Sequence, residues 1–339
     1  TPKGYKQALV RVYANTGKSF YSLFLNQKAT SPSGLATYSS GWLDMNINLP
    51  NLAAGYNLNI GTNVIRHGYL ERVNITSWGS VNNLTGLFWN CNALLSVNEH
   101  EWNMSGITML NNLFFSATSM PQLDCSSWNL SAVSSYGNAF RNMQSLKRMK
   151  LILSNPPANT LCGNMFQGNG GLQDLDVSNW NTGNITDMNL MFASCGQLRT
   201  LNLSAWNTAK VTTIANMFDG CTTLDAIDIS TWNLSACTNA TQAFYVCANL
   251  QKLETCNLSA VNTAMTNFAT GCGQLKKVTL QGISQNINFS NCQMSSSALN
   301  TLYTNLATVV GKTITVTGNY GSAGSTTSIA TAKGWTVVG

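Results

Sequence analysis

The chain is 339 residues long and 44% hydrophobic, yet only 9% of its residues are Asp, Glu, Lys or Arg, against roughly 25% in ordinary soluble domains. Uncharged Asn, Ser, Thr and Gly must carry its solubility, which suits strands and turns better than long surface helices. The net charge of +6 is spread without a polybasic run, which leans toward an acidic partner and gives no support for nucleic acid specifically; no apolar stretch is long enough to span a membrane, which argues against a membrane span, and the opening TPKGYKQALV lacks the pattern of a secretory signal.

Thr1 has no Met before it and is read either as a terminus left by processing or as the start of the stretch at hand. Over residues 1–66, ALVRVYA and FYSLFL alternate or run apolar as strands do, and NTGK and SPSG are turn signals. This predicts a β-rich N-terminal domain that caps or anchors the rest of the chain.

From residue 67 to 293 the sequence repeats. Phe114, Phe140, Phe166, Phe192, Phe218 and Phe244 stand 26 residues apart, as do Trp102 and Trp128, then Trp180, Trp206 and Trp232. A flanking unit on each side is two residues shorter, with Trp78 24 residues before Trp102 and Phe268 24 after Phe244. A fixed period of this length marks a solenoid, whose coils bury their apolar faces only against neighbouring coils. LNLS at 201–204 alternates apolar and polar, predicting a short strand with Leu201 and Leu203 inward and Asn202 and Ser204 outward. Stacked at ~4.8 Å, about nine such coils give a parallel sheet roughly 40–45 Å long, with the Trp and Phe columns as internal ladders.

The units LDVSNWNTGNITDMNLMFASCGQL and LNLSAWNTAKVTTIANMFDGCTTL resemble the BspA-like leucine-rich repeats, the LxxLxLSxWNTxxVTxMxxMFxxCxxL type of bacterial surface proteins and lipoproteins; the likeness covers about residues 70–293. It implies a leucine-rich-repeat-like solenoid, a parallel β-sheet with short irregular or helical returns. It also implies an exposed binding or adhesion protein without catalytic residues; similar repeats occur in phage structural proteins. The fifth unit departs from the pattern, with Ser154 in the Trp position and Pro156 and Pro157 after it, and a later unit carries Leu258 there.

Over 294–339 the rhythm changes. Leu299, Leu302, Tyr303 and Leu306 fall at helical spacing behind a Ser-rich N-cap, TITVT alternates as a strand, STTSIATAKGW reads as a short helix ending at Gly334, and Trp335, Val337 and Val338 close the chain as a strand. The expectation is a mixed α/β cap over the last coil.

Five of ten cysteines, Cys91, Cys195, Cys221, Cys247 and Cys292, stand three residues after a coil's Phe. They read as a column of small buried hydrophobes rather than as disulfides or metal ligands. His100 sits between Glu99 and Glu101 on the expected outward strand face without a second His in register. Asp124, Asp176 and Asp228 recur every 52 residues on that face, in the column of Asn98 and Asn202, about 10 Å apart and too regular for a tuned catalytic pair. Arg141, Lys147, Arg148 and Lys150 gather four cations in the fifth unit, beside the proline-bearing SNPPANT. These ten polar residues are the candidate ligand contacts.

No catalytic, cofactor or metal site is expected. The expected partner is a protein or glycan on a cell surface, or else other subunits of a virion or surface layer, which places the chain outside the cell, on a cell surface or on a virion.

Overall fold

Each coil of the repeat contributes a short strand to one side of a spiral, where the strands pair in parallel. The structure, a computed structural model, describes residues 22–24, 44–50, 57–60, 70–254, 256–263, 265 and 267–339. ALVRVYA, NTGK, SPSG and His67 lie outside them. Ser22–Phe24 runs parallel to Asn57–Asn59. Asp44–Asn48 pairs with Arg72–Ser77, Met45 opposite Val73 and Ile47 opposite Ile75, and Arg72–Ser77 pairs with Ser96–Val97. Further on, Gln122–Cys125, Arg148–Leu151 and Asp174–Asp176 form one parallel trio, and beyond it Thr200–Leu201 pairs with Ala226–Ile227 and Lys252–Leu253 with Lys277–Val278.

A second ladder runs behind the first. Isolated parallel bridges link Asn83, Met109, Ser135 and Leu161 in succession, then Asp187, Thr213 and Asn239, and Thr160–Leu161 pairs with Ile185–Asp187. Between the two ladders each coil turns around its Phe, and there too the backbone bonds run from coil to coil: Phe114 N–H donates to Ala139 C=O (2.8 Å), Phe166 to Met191 (2.9 Å) and Phe218 to Ala243 (2.9 Å). Few polar backbone groups are left for the core to absorb.

The ladders of rings are as the spacing predicts. Phe88, Phe114, Phe140, Phe166, Phe192, Phe218, Phe244 and Phe268 are all buried, and the seven contacts between successive rings span 5.0 to 6.1 Å between centroids, stacked until a T-shaped last pair. The indoles form two runs, Trp78–Trp102–Trp128 and Trp180–Trp206–Trp232, interrupted at Ser154. Three of the indoles do more than fill space. Nε1 of Trp128, Trp180 and Trp206 donates to Glu99, Leu151 and Val177 C=O in the preceding coil (2.7 to 3.0 Å), so these tryptophans also tie adjacent coils by hydrogen bonds.

Two expectations about strands need correction. LNLS is strand only at its start, in Thr200–Leu201, although Leu201 and Leu203 are buried and Asn202 and Ser204 exposed as predicted. Asn202 Oδ1 accepts both the N–H (3.2 Å) and the hydroxyl (2.7 Å) of Ser204 and turns the chain. His100 is not on a strand either: after Ser96–Val97 comes a 3₁₀ turn, Glu99–Glu101. The Asn98 side chain takes over the pairing, accepting from Ile75 N–H (2.7 Å) and donating to Ile75 C=O (3.0 Å), which frees its backbone to bend.

At the C-terminal end the helix Ser296–Asn305 buries Leu299, Leu302 and Tyr303 and is capped by Ser295, whose hydroxyl accepts from Ala298 N–H (3.2 Å). Lys312–Thr315, the short helix Ser328–Thr331 and Trp335–Val338 come next. The sheet order places Lys312–Thr315 between Ile287–Asn288 and Trp335–Val338, all parallel. Parallel pairing thus reaches beyond 67–293 on both sides. Among the described residues no helix is long and apolar enough to cross a membrane.

Candidate ligand-contact surface

The strands present one face to the core and one to solvent because side chains alternate. Val73, Leu123, Met149, Leu175, Leu201, Ile227, Leu253 and Val278 point inward and are buried. Their neighbours Arg72, Gln122, Arg148, Asp174, Thr200, Ala226, Lys252 and Lys277 are exposed. The result is a continuous polar face with one residue per coil in each column.

Among the described residues four ion pairs on this face run from coil to coil. Arg72 Nε meets Asp44 Oδ1 at 2.7 Å, Lys150 Nζ meets Asp124 Oδ2 at 3.1 Å, Arg199 meets Asp225 at 3.5 Å, and Lys277 contacts Glu254. Exposed pairs of this kind contribute little to stability, a fraction of a kcal/mol up to about 1. Lys147 and Arg148 are exposed and form no ion pair among the described residues.

The recurring acids have a local task. Oδ1 of Asp124 and of Asp176 accepts the N–H and hydroxyl of the Ser two residues on (2.6 to 3.1 Å), and Asp228 Oδ1 accepts Ser230 N–H (2.9 Å). Hydrogen bonds from Ser178 and Ser230 hold Asp176 and Asp228 below the usual carboxylate range. At Asp124 partial burial pulls the other way, but Ser126 and Lys150 outweigh it and the net shift is also downward. These groups stay anionic, the opposite of what a general acid requires.

The remaining candidates are dispersed. Asn98 is half-buried in its pairing with Ile75, also donating to Glu101 Oε2 (2.9 Å) and accepting from Trp102 Nε1 (3.0 Å). Beside it a cleft of about 230 Å³ is lined by Ile75–Gly79 and Glu101–Asn103. His100 is exposed, 3.9 Å from Glu99 Oε1. Lys147, Arg148 and Lys150 lie at the strand, but Arg141 stands in the turn after Phe140, its guanidinium 5.2 Å from the centre of the Phe115 ring. The four cations therefore lie in two different places on the coil, Arg141 at the turn and the other three at the strand.

The Arg141 column was not singled out by sequence reasoning. The residue after each ladder Phe is Trp89, Phe115, Arg141, Gln167, Ala193, Asp219, Tyr245 and Ala269, half-buried except for the buried Ala193 and Ala269. The signal was in the repeat, in aromatic residues at one register position outside the template.

All ten cysteines are buried free thiols. Cys195, Cys221, Cys247 and Cys272 each donate to the Phe C=O of the preceding coil, Phe166, Phe192, Phe218 and Phe244, at 3.0 to 3.2 Å. Among the described residues no three His, Cys, Asp or Glu side chains gather as a metal-ligand group.

A parallel spiral with one apolar ladder residue per turn and a polar sheet face is a repeat protein of the leucine-rich type. Residues 66–151 and 160–280, more than half of the chain, match the family described as "Mycoplasma protein of unknown function, DUF285", and the chain belongs to that family, a BspA-like leucine-rich repeat family. No curated protein matches the sequence. Two solved structures are similar to it in part. A leucine-rich cell surface protein from Faecalibacterium prausnitzii A2-165 is 16% identical with a TM-score of 0.29, covering 78% of this chain and 89% of its own. The TLR13–ssRNA13 complex is 15% identical with a TM-score of 0.26, covering 82% of this chain and 50% of its own. With TM-scores this low, neither fixes a ligand or a detail of the fold.

Proposed function

We infer that the protein is a non-enzymatic binding or adhesion protein, displayed outside the cell or on a cell surface, that recognises a protein or glycan through the solenoid surface. The observation that supports this most is the use made of the polar columns. Asp124, Asp176 and Asp228 are kept ionised by turns of their own coils, while Lys147 and Arg148 project without an ion pair among the described residues. A rigid scaffold that tiles polar groups at a fixed pitch suits an extended partner. Lys147, Arg148 and Lys150, with Asn202 and His100 along the same face, are the proposed contacts.

The test is attachment of the intact protein to immobilised host cells and to a glycan array, compared with a double variant, Arg148→Glu with Lys150→Glu. Loss of attachment in the variant at unchanged melting temperature supports the reading. Attachment that is absent for the native protein, together with stoichiometric incorporation into a virion or surface layer through residues 1–66, would replace it by a structural role.

A further inference from the structure

On the turn side of the solenoid a different ligand surface is built. Trp89 and Phe115 occupy successive coils, half-exposed, with ring centroids 5.5 Å apart and planes tilted by 53°. Arg141 stands in the next coil with Cζ 5.2 Å from the Phe115 ring centre. Gln167 comes one coil further. Two aromatics, a cation and an amide thus form one ledge.

The ledge is electrostatically incomplete. Arg141 Nη1 donates to Asn138 Oδ1 (3.0 Å), but Nε is buried with no acceptor and the guanidinium forms no ion pair among the described residues. Gln167 Oε1 is likewise buried with no donor. A half-buried guanidinium beside the Phe115 ring, with burial pulling its pKa down, is stabilised by an anion that accepts from it. In a chain with so few charges, an uncompensated one against the Phe115 ring needs a reason.

We propose that Trp89, Phe115, Arg141 and Gln167 form a binding ledge for an acidic polysaccharide, a chain of carboxylate-bearing pyranose rings. This rests on the reading of the protein as a surface binder, and names a ligand class and a site for it. The carboxylate would pair with Arg141, and the apolar C–H surface of the sugar would pack on Trp89 and Phe115. Asn112, Asn138 and Asn164 recur two residues before the ladder Phe at one residue per coil, each with left-handed φ near 56° to 59°, and their amides would supply polar groups for sugar hydroxyls at a repeating pitch. An acidic peptide fits less well. Extended peptides bind by adding to open backbone edges, and here the backbone is already paired coil to coil: Phe114 N–H to Ala139 C=O (2.8 Å), Ser116 N–H to Arg141 C=O (2.9 Å), Gly168 N–H to Ala193 C=O (2.7 Å).

The test is calorimetric titration of the full chain with oligogalacturonate, hyaluronate and alginate oligomers, with a neutral cello-oligosaccharide and poly-glutamate as comparisons. At least one acidic oligosaccharide should bind, more weakly as salt rises, with quenching of tryptophan emission that Trp89→Phe removes. Arg141→Gln should weaken binding about tenfold or more, the size of one charge-assisted hydrogen bond, at unchanged melting temperature. Binding by none of the three acidic sugars, binding by poly-glutamate alone, or binding insensitive to both Arg141→Gln and Trp89→Phe overturns the proposal. Acidic-sugar binding that Arg148→Glu with Lys150→Glu abolishes and Arg141→Gln leaves intact would move the site to the sheet face, overturning this inference while leaving the broader function standing.

Discussion

Asn169 reaches back to Phe140: its Nδ2 donates to Phe140 C=O at 2.8 Å while its Oδ1 accepts Met143 N–H at 2.8 Å, both fully out of water. It stands where later coils place a thiol that makes the first of these bonds, as Cys195 does to Phe166 at 3.2 Å. Asn319 repeats the pattern near the C-terminus, bonding Phe289 C=O and Met294 N–H. From Asn169 to Cys247 the column is therefore a run of donors clasping adjacent coils. Asn169→Leu leaves a buried carbonyl and a buried N–H unmatched and should cost about 2–6 kcal/mol, from ~1–3 for each. Asn169→Cys, which restores the bond to Phe140, should cost less; urea melts of the two variants give the comparison, and equal losses would show the bond to be incidental.

Two positions per coil adopt left-handed φ. Asn112, Asn138, Asn164 and Asn216 fill the one before the Phe, but there Leu190 has φ 56° and Gln242 the same value. A left-handed non-glycine residue costs roughly 1–2 kcal/mol, less for Asn. Leu190 is only half-buried, so Leu190→Asn should raise stability by up to about 1 kcal/mol, read as a higher melting temperature. A lower one would mean that its packing outweighs the strain.

Tyr136 occupies the core with its hydroxyl buried and without a hydrogen-bond partner. Burial pushes its ionisation well above the ordinary range, with the nearby Cys162 adding to it. Removing an unmatched buried hydroxyl without changing the ring should be neutral to stabilising by about 1 kcal/mol. A marked loss of stability in Tyr136→Phe would reveal a partner for that oxygen.

Burial raises the thiols of Cys195, Cys256 and Cys292 to about 12 from the ordinary 9.0. Above pH 9 the unfolded chain releases these protons and the folded one keeps them. Their contribution is thus constant below pH 9 and is lost between about pH 9 and 12, at ~1.4 kcal/mol per pH unit for each such thiol. Denaturant midpoints measured from pH 8 upward should fall through that window, and native thiols should resist Ellman's reagent at pH 8 until the chain unfolds. Fast labelling of the native protein would contradict their burial.

The repeating parts of the fold were legible because the residue chemistry repeats with them: a ring at Phe114, Phe140 and Phe166 can only be buried in register if the coils stack. The helix behind Ser295 was equally plain from its cap and from Leu299 and Leu302. Strand length was not, because Asn202 looks like an outward strand residue until its side chain is seen closing a turn on Ser204. Nor was the 3₁₀ turn at His100, which depends on Asn98 pairing with Ile75, a residue 23 positions away. The Trp89–Phe115–Arg141 ledge was missed for a related reason. Single-coil patterns show which residues alternate, whereas contacts across coils decide which half-exposed groups meet.

The central claim is that each coil is completed by its neighbours, and removal of one whole period tests it most directly. Deleting residues 198–223, 26 residues from one coil to the equivalent point of the next, joins Gln197 to Leu224 in register and should leave a folded, cooperatively melting protein, shorter by ~4.8 Å in X-ray scattering. Deleting only about half of that period from the same place breaks the register and should unfold the chain. If the in-register deletion collapsed or aggregated while the half-period deletion stayed folded, the stacked-coil account would be contradicted.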